Sequence, residues 1–183
     1  MVLSNSRGPE TLSDLVAELG EHASAATAQE AAAAGDLVVV TVPFKAYLDV
    51  PVEPLAGKVV IDTHDYYFER DGRYAELDEA RTSVSEMLAA HLPTSKVVKA
   101  FNAIQAAPIV TEGRPAGADD RRALAIAGDD ADAKQVATDL IDSFGFDGVD
   151  AGPLAEGKRF DRGRPAYGAE LGAEGLRKAL AEG

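Results

Sequence analysis

Residues 1–183 read as an α/β protein built on a mostly parallel sheet. Short apolar runs alternate with helix-period segments along the whole chain, the pattern of strands joined by crossover helices. The run Leu37-Val38-Val39-Val40 has no polar/apolar alternation, as expected of a strand buried on both faces. Thr41 and Pro43 then end it, because proline has no N–H for a ladder, and Phe44, Tyr47 and Leu48 follow at helical spacing. Such a turn lies at the carboxyl end of a strand, where open parallel sheets bind their ligands. An ordinary core strand without a ligand has the same residues.

The other elements follow in chain order. Met1 to Ser4 reads as a strand and Asn5 to Pro9 as a turn, with Pro9 at the first position of a helix. Leu12, Leu15, Val16 and Leu19 give that helix one apolar face, ending at Gly20. Ala25 to Thr27 suits a short edge strand, and Thr27 with Glu30 forms a capping box for the alanine-rich turn before Gly35. Lys58 to Asp62 is a strand after the loop Pro51 to Gly57. Thr63 to Ala80 is polar and aromatic, turning at Asp71-Gly72. Ser83 and Glu86 form a second capping box, with Val84, Leu88 and Leu92 stacked along its helix. Lys96 to Phe101 is a strand ending at Asn102, and Thr111 to Arg122 is a surface loop. Ala123 to Ala127 is a strand, Gly128-Asp129-Asp130 opens a helix carrying Val136, Leu140, Ile141 and Phe144, and Gly148 to Ala151 is the last strand. The tail from Tyr167 reads as helical, with Gly168, Gly172 and Gly175 opposing it.

Composition bounds the function. The length fits one domain that buries roughly 70% of its unfolded surface. A formal net charge of −13 argues against nucleic acid or an anionic membrane as partner, and any phosphate site must rest on a few placed cations. The absence of cysteine excludes disulfides, thiolate metal sites and a cysteine nucleophile. No apolar run approaches about 18 residues and no cationic leader stands at the start, which leads to the expectation of a cytoplasmic protein.

Three stretches hold groups that could do chemistry. Asn5-Ser6-Arg7 follows a strand. In a dinucleotide-binding fold an acid at such a position selects NAD, whereas arginine with hydroxyl donors accommodates the 2′-phosphate of NADP. A solvated turn with an incidental arginine is the plainer reading. Asp62-Thr63-His64-Asp65-Tyr66-Tyr67 places a histidine among carboxylates, either as a general acid/base or, as the residues favour, as a polar loop at a cleft mouth. Gly128-Asp129-Asp130 most simply complements a helix dipole. His22 and His91 stand in unrelated contexts, so no metal site is expected. No Gly-x-Gly-x-x-Gly, Gly-x-Ser-x-Gly or Walker motif occurs.

Five blocks in unbroken order carry a resemblance. Asn5 to Leu12, Thr41-Val42-Pro43, Val97 to Ile104, Ala127 to Asp130, and Asp150 to Leu154 make the chain resemble the NADPH-dependent coenzyme F420 reductases, from Met1 to about Gly168. The resemblance implies a Rossmann-type, doubly wound domain over residues 1–154 and a small C-terminal segment, residues 155–183, packing over the cofactor cleft. It implies hydride transfer between NADP(H) and coenzyme F420, a deazaflavin. Ser6 and Arg7 would hold the 2′-phosphate, and Thr41, Val42 and Pro43 would border the cofactor backbone. Asn102 and Ile104 would lie near the stacked rings, and Gly152, Pro153 and Leu154 would line the deazaflavin side. Small-molecule cofactors are thus the expected partners, with a homo-oligomer as a further possibility.

The family begins with a strand, a glycine-rich turn and a helix ahead of the part matching Met1 to Ser4, and residues 1–183 hold no such unit. Two strand edges are therefore expected to lack partners, and the pyrophosphate its helix N-terminus. A start placed too late, or a shortened chain, explains this most simply, because the other blocks are intact. A substitute segment or partner chain, and a non-catalytic remnant, are the alternatives. Two functional rivals stand beside F420 reduction: a reductase with a flavin, ferric or small carbonyl acceptor, and a non-catalytic dinucleotide-sensing or interaction module.

Overall fold

The computed structural model describes all of residues 1–183. Seven strands fall into two sheets. β1 (Val2–Leu3) pairs in parallel with β2 (Ser24–Ala25). β3 (Leu37–Val40), β4 (Val59–Asp62), β5 (Lys96–Lys99), β6 (Ala123–Gly128) and β7 (Asp147–Asp150) form the second sheet in that order. β3, β4 and β5 run parallel, with Val40, Asp62 and Lys99 in register at their carboxyl ends. β6 is antiparallel to β5, and β7 is parallel to β6. This is the mixed α/β, Rossmann-like arrangement that the alternating pattern predicts.

Helices cover both faces of the larger sheet. α1 (Ser13–Leu19) and α2 (Ala28–Ala34) flank the small sheet, and the Thr27–Glu30 capping box at α2 is formed. α3 (Phe68–Asp71) and α4 (Ala75–Asp78) are single turns in the polar, aromatic segment. α5 (Val84–His91) carries the second capping box, Ser83 with Glu86. Its Val84 and Leu88, with Leu92, are buried as the spacing predicts. α6 (Ala106–Thr111) lies between β5 and β6. α7 (Ala131–Ser143) packs Ala133, Ala137 and Ile141 on one face of the sheet against Ile61, Val98, Leu124, Ile126 and Phe146. α8 (Ala173–Ala181) buries Leu176, Ala179 and Leu180 on the other face with Phe160 and the alanines of β6.

Four sequence expectations need correction. β3 is an edge strand and not doubly buried, since nothing pairs on its far side and Val39 is 48% exposed. The apolar face of α1 is open, with Leu15 and Leu19 exposed, because the large sheet does not extend beneath it. α7 meets its expected phase only in part. Ile141 is buried as expected, but its other inward residues are the small Ala133 and Ala137, which let the helix approach the sheet, while Val136 and Phe144 are exposed. The tail becomes regular helix only after Gly172, and the segment before it folds as a 3-10 stretch, Leu154–Phe160, followed by turns.

Candidate functional site

The carboxyl ends of β3, β4 and β5 lie side by side and carry most of the candidate residues. Thr63 ties two of these ends together, donating both its backbone N–H (3.2 Å) and its hydroxyl (3.1 Å) to the carbonyl of Val40. Thr41, Val42 and Pro43 leave β3 exposed to solvent. The chain then turns down through Phe44, which is fully buried and stacks on Tyr47 at 4.9 Å.

His64 is neither a general base nor a cleft-mouth residue. It is 2% exposed, with Nδ1 2.6 Å from Asp62 Oδ1 and its ring edge-on to Phe44. Burial pushes the Asp62 carboxyl upward, but His64 and then the Lys99 ammonium pull harder, and the net direction is down. The histidine is thus part of the packed support under the strand ends.

The next residue, Asp65, is half-buried beyond the end of β4. Its Oδ1 accepts from Asn102 Nδ2 at 3.1 Å and its Oδ2 from the Tyr167 hydroxyl at 3.1 Å. Tyr167 in turn shares a 2.8 Å hydrogen bond with the Tyr67 hydroxyl. Burial raises the Asp65 carboxyl to about 6, and the hydrogen bonds from Asn102 and Tyr167 together with Lys99 offset it only in part. The Arg70 guanidinium grips Asp71 through two 2.8 Å bonds, and Asp71 receives the backbone N–H of Tyr67 at 3.0 Å, so this loop is held at its base.

Asn102 owes its place to an unusual exit from β5. Phe101 adopts φ 62°, a left-handed conformation costing a bulky residue about 1–3 kcal/mol that the surroundings must over-determine. They do so: Asn102 Nδ2 also donates to the carbonyl of Phe160 at 3.0 Å, and the carbonyl of Ala103 accepts from Gly168 at 3.1 Å. Both amide bonds of Asn102 go to oxygen acceptors, which fixes its orientation. A cavity of about 200 Å³ opens beside it, lined by Asn102, Ile104, Gln105, Pro108 and Tyr167 among others. Lys99, the one charged group facing the β5 core, is fully buried, pairs with Asp161 and lies 5.5 Å from the Phe160 ring centroid. Residues 160–168 are thereby fastened across the ends of β4 and β5 by Asn102, Lys99, Asp65 and Ala103.

Ser6 and Arg7 stand at the carboxyl end of β1 in the separate small sheet. Asn5 Oδ1 accepts the backbone N–H groups of Arg7 (2.9 Å) and Gly8 (3.0 Å), a tight turn that leaves both side chains exposed. Gly8 is required there: it holds φ 105°, and a Cβ would fall 2.5 Å from the Glu10 carboxylate. The Arg7 guanidinium faces solvent with no carboxylate partner, as a phosphate-binding fork should. Because β6 runs antiparallel to β5, Gly152, which accepts from the Gly128 N–H, lies beyond the residue opposite Val98, and Leu154 packs in one cluster with Val40, Leu55, Leu92 and Val97.

The donor set fits two parts of a dinucleotide. The Ser6-Arg7 turn suits a ribose phosphate, and the cavity by Asn102 and Ile104 has room for a ring. No glycine-rich turn in residues 1–183 supplies backbone N–H groups to a pyrophosphate.

Residues 1–66 match the family described as NADP oxidoreductase, coenzyme F420-dependent. The chain also resembles solved structures over nearly its whole length. One is the hypothetical protein SMa0349 of Sinorhizobium meliloti, with 30% identity and a TM-score of 0.75 over 93% of this chain and 82% of that one. Another is a protein assigned as an F420-dependent NADP-reductase from Arthrobacter sp. FB24, with 28% identity and a TM-score of 0.69 over 83% and 73% of the two chains. Residues 1–66 thus place the chain with NADP-dependent oxidoreductases at the family level. Among curated proteins it is similar to the metalloreductase STEAP3 of Rattus norvegicus, 29% identical over 163 residues, which are 87% of this chain and 30% of that protein. No helix is long and apolar enough to cross a membrane.

Sequence reading of this oxidoreductase domain missed Asp65, Tyr167 and Lys99. Lys99 was legible: a lone lysine among Val97, Val98 and Ala100 must find an anion on folding. Tyr167 carried no signal, since its partner lies about a hundred residues away.

Proposed function

We propose that this chain handles NADP(H) in hydride exchange with coenzyme F420. Family membership supports an NADP-dependent oxidoreductase, and the unpaired Ser6-Arg7 turn is the observation that carries NADP(H) over NAD(H). When bound, such cofactors supply transfer of a hydride between nicotinamide C4 and deazaflavin C5. The chain's part in it is positional: contact and alignment of two rings need little acid or base help. Ser6 and Arg7 hold the 2′-phosphate, Thr41, Val42 and Pro43 border the cofactor where β3 ends, and Asn102 and Ile104 flank the ring. Residues 155–168 close over that place. Gly152, Pro153 and Leu154 follow β7, and Leu154 packs in a cluster that runs from Leu55 and Val97 to Val40 at the end of β3.

Arg7→Ala is expected to weaken NADPH binding by about 1.5–3 kcal/mol, the size of a hydrogen bond to a charged group, and to leave NADH nearly unchanged. Titration of both dinucleotides checks this, and equal losses would remove the 2′-phosphate assignment.

One specific observation favours another reading. Similarity to a metalloreductase supports a flavin or ferric acceptor in place of F420. Stopped-flow reduction of F420, flavin and ferric chelates by NADPH separates these acceptors.

A further inference from the structure

Hydride transfer to a ring acceptor leaves a proton to be supplied, and the residues around the cavity after β5 form a connected path for one. Both Asp65 oxygens are engaged by residues that line this cavity, Asn102 on Oδ1 and Tyr167 on Oδ2. The Tyr167 hydroxyl also meets that of Tyr67 at 2.8 Å, so three exchangeable groups stand in one chain, Asp65, Tyr167 and Tyr67. Other bonds also hold the two segments that meet here. The loop holding Asp65 is fixed by Asp71 and Arg70, and the C-terminal segment by Lys99–Asp161 and Asn102–Phe160. A half-buried carboxylate facing a phenol beside a ring-sized cavity is an arrangement for moving protons.

We propose that Tyr167, backed by Asp65, is the proton donor to the ring acceptor, a role that rests on the NADP(H) oxidoreductase reading above. With Asp65 ionised, the Tyr167 hydroxyl donates to it. When Asp65 takes up a proton the bond reverses, the carboxyl O–H donates to the phenol oxygen, and the phenol proton is freed toward the cavity. The balance is NADPH plus acceptor plus one proton giving NADP+ and the two-electron-reduced acceptor. NADPH loses a hydride and is oxidised. The Tyr167 O–H bond breaks as an N–H bond forms on the reduced ring, and the Asp65 proton moves to Tyr167 in the same exchange. Asp65 then reloads from solvent. A phenolate never stands alone, since burial and then the Tyr67 hydrogen bond raise the Tyr167 pKa.

The groups facing Asp65 decide when it is loaded. They are Lys99 from β5, Asp161 and Tyr167 from the C-terminal segment, Asn102 after β5, and Arg70, which donates to the Asp65 backbone carbonyl at 2.9 Å. Lys99 is neutralised by Asp161, so burial dominates and the Asp65 carboxyl is raised to about 6.

The test uses the full chain with ¹³C-carboxyl-labelled aspartate, the Asp65 signal being assigned with Asp65→Asn. The free protein should show an Asp65 midpoint near 6, which saturating 5-deazariboflavin displaces by at least about half a pH unit because a ring beside Tyr167 changes the acceptors open to it. A midpoint that does not move with the ring compound present overturns the proposal. Tyr167→Phe should move the free midpoint upward, since it removes a donor to the carboxylate. In turnover, NADPH-dependent reduction should fall as pH rises past the Asp65 midpoint. Its solvent deuterium isotope effect should be lost in Tyr167→Phe, while the primary effect from deuterium at nicotinamide C4 remains. Wild-type rates flat from pH 5 to 8 would also overturn it. Failure of the protein to bind NADPH would sink the oxidoreductase reading instead, and the carboxyl titration with the ring compound judges the proton path without it.

Discussion

At the residue scale, neighbours in sequence serve opposite ends. His64 and Asp65 are adjacent, yet one is sealed under the strand ends and the other is half-buried and bonded to Tyr167, which lines the cavity after β5. Strand alternation sends successive side chains apart, and the break after Asp62 does the same here. Asp65 also leaves a stability signature. Its carboxyl is raised in the folded protein to about 6, against about 4 in the unfolded chain, so the native state binds more protons between those values. Stability from this group is therefore present below about pH 4, falls as pH rises toward 6, and stays lost above. Asp62 and Asp71, both lowered, act in the opposite sense at lower pH. Melting of Asp65→Asn against the wild type across pH 4 to 7 isolates the Asp65 part. The variant should gain relative to wild type as pH rises to about 6, and a constant difference would contradict this placement.

At the element scale, the open outer edge of β3 is the feature with the clearest physical consequence. A strand edge with free N–H and C=O groups and an exposed Val39 is a template for another chain. Residues 1–183 expressed by themselves should associate with rising concentration through such edges. Val39→Lys should restore a monomer, since an edge lysine blocks pairing. Light scattering over a concentration series decides it, and a monodisperse wild-type monomer throughout would count against strand-mediated association. The elements that sequence located best are those with local chemistry. Both capping boxes formed, because their donors and acceptors lie three residues apart. The phase of α7 was legible only in part, because alanine and valine both read as apolar and only the closeness of helix to sheet selects the smaller.

At the scale of the whole molecule, the two sheets share no strand ladder, and the cofactor would join them. A ligand held by the β1 turn and the β3 turn together links units that α2 also bridges. NADPH at a hundred times its dissociation constant should stabilise the chain by about 2.7 kcal/mol. It should also slow amide exchange in Met1 to Gly20 more than NADH does. Stabilisation without extra protection of that segment would place the cofactor elsewhere.

What the sequence determined by itself is what local residues decide: the alternation of strands and helices, the turn at Asn5 to Pro9, the caps, and the free Ser6-Arg7 pair. What tertiary structure alone decided is which ends meet. The antiparallel β6 set Gly128 and the Gly152 that follows β7 opposite Val98, and the returning segment brought Tyr167 to Asp65. Strand direction and long-range closure depend on how apolar faces pack across the sheet, and no spacing within a single segment encodes that.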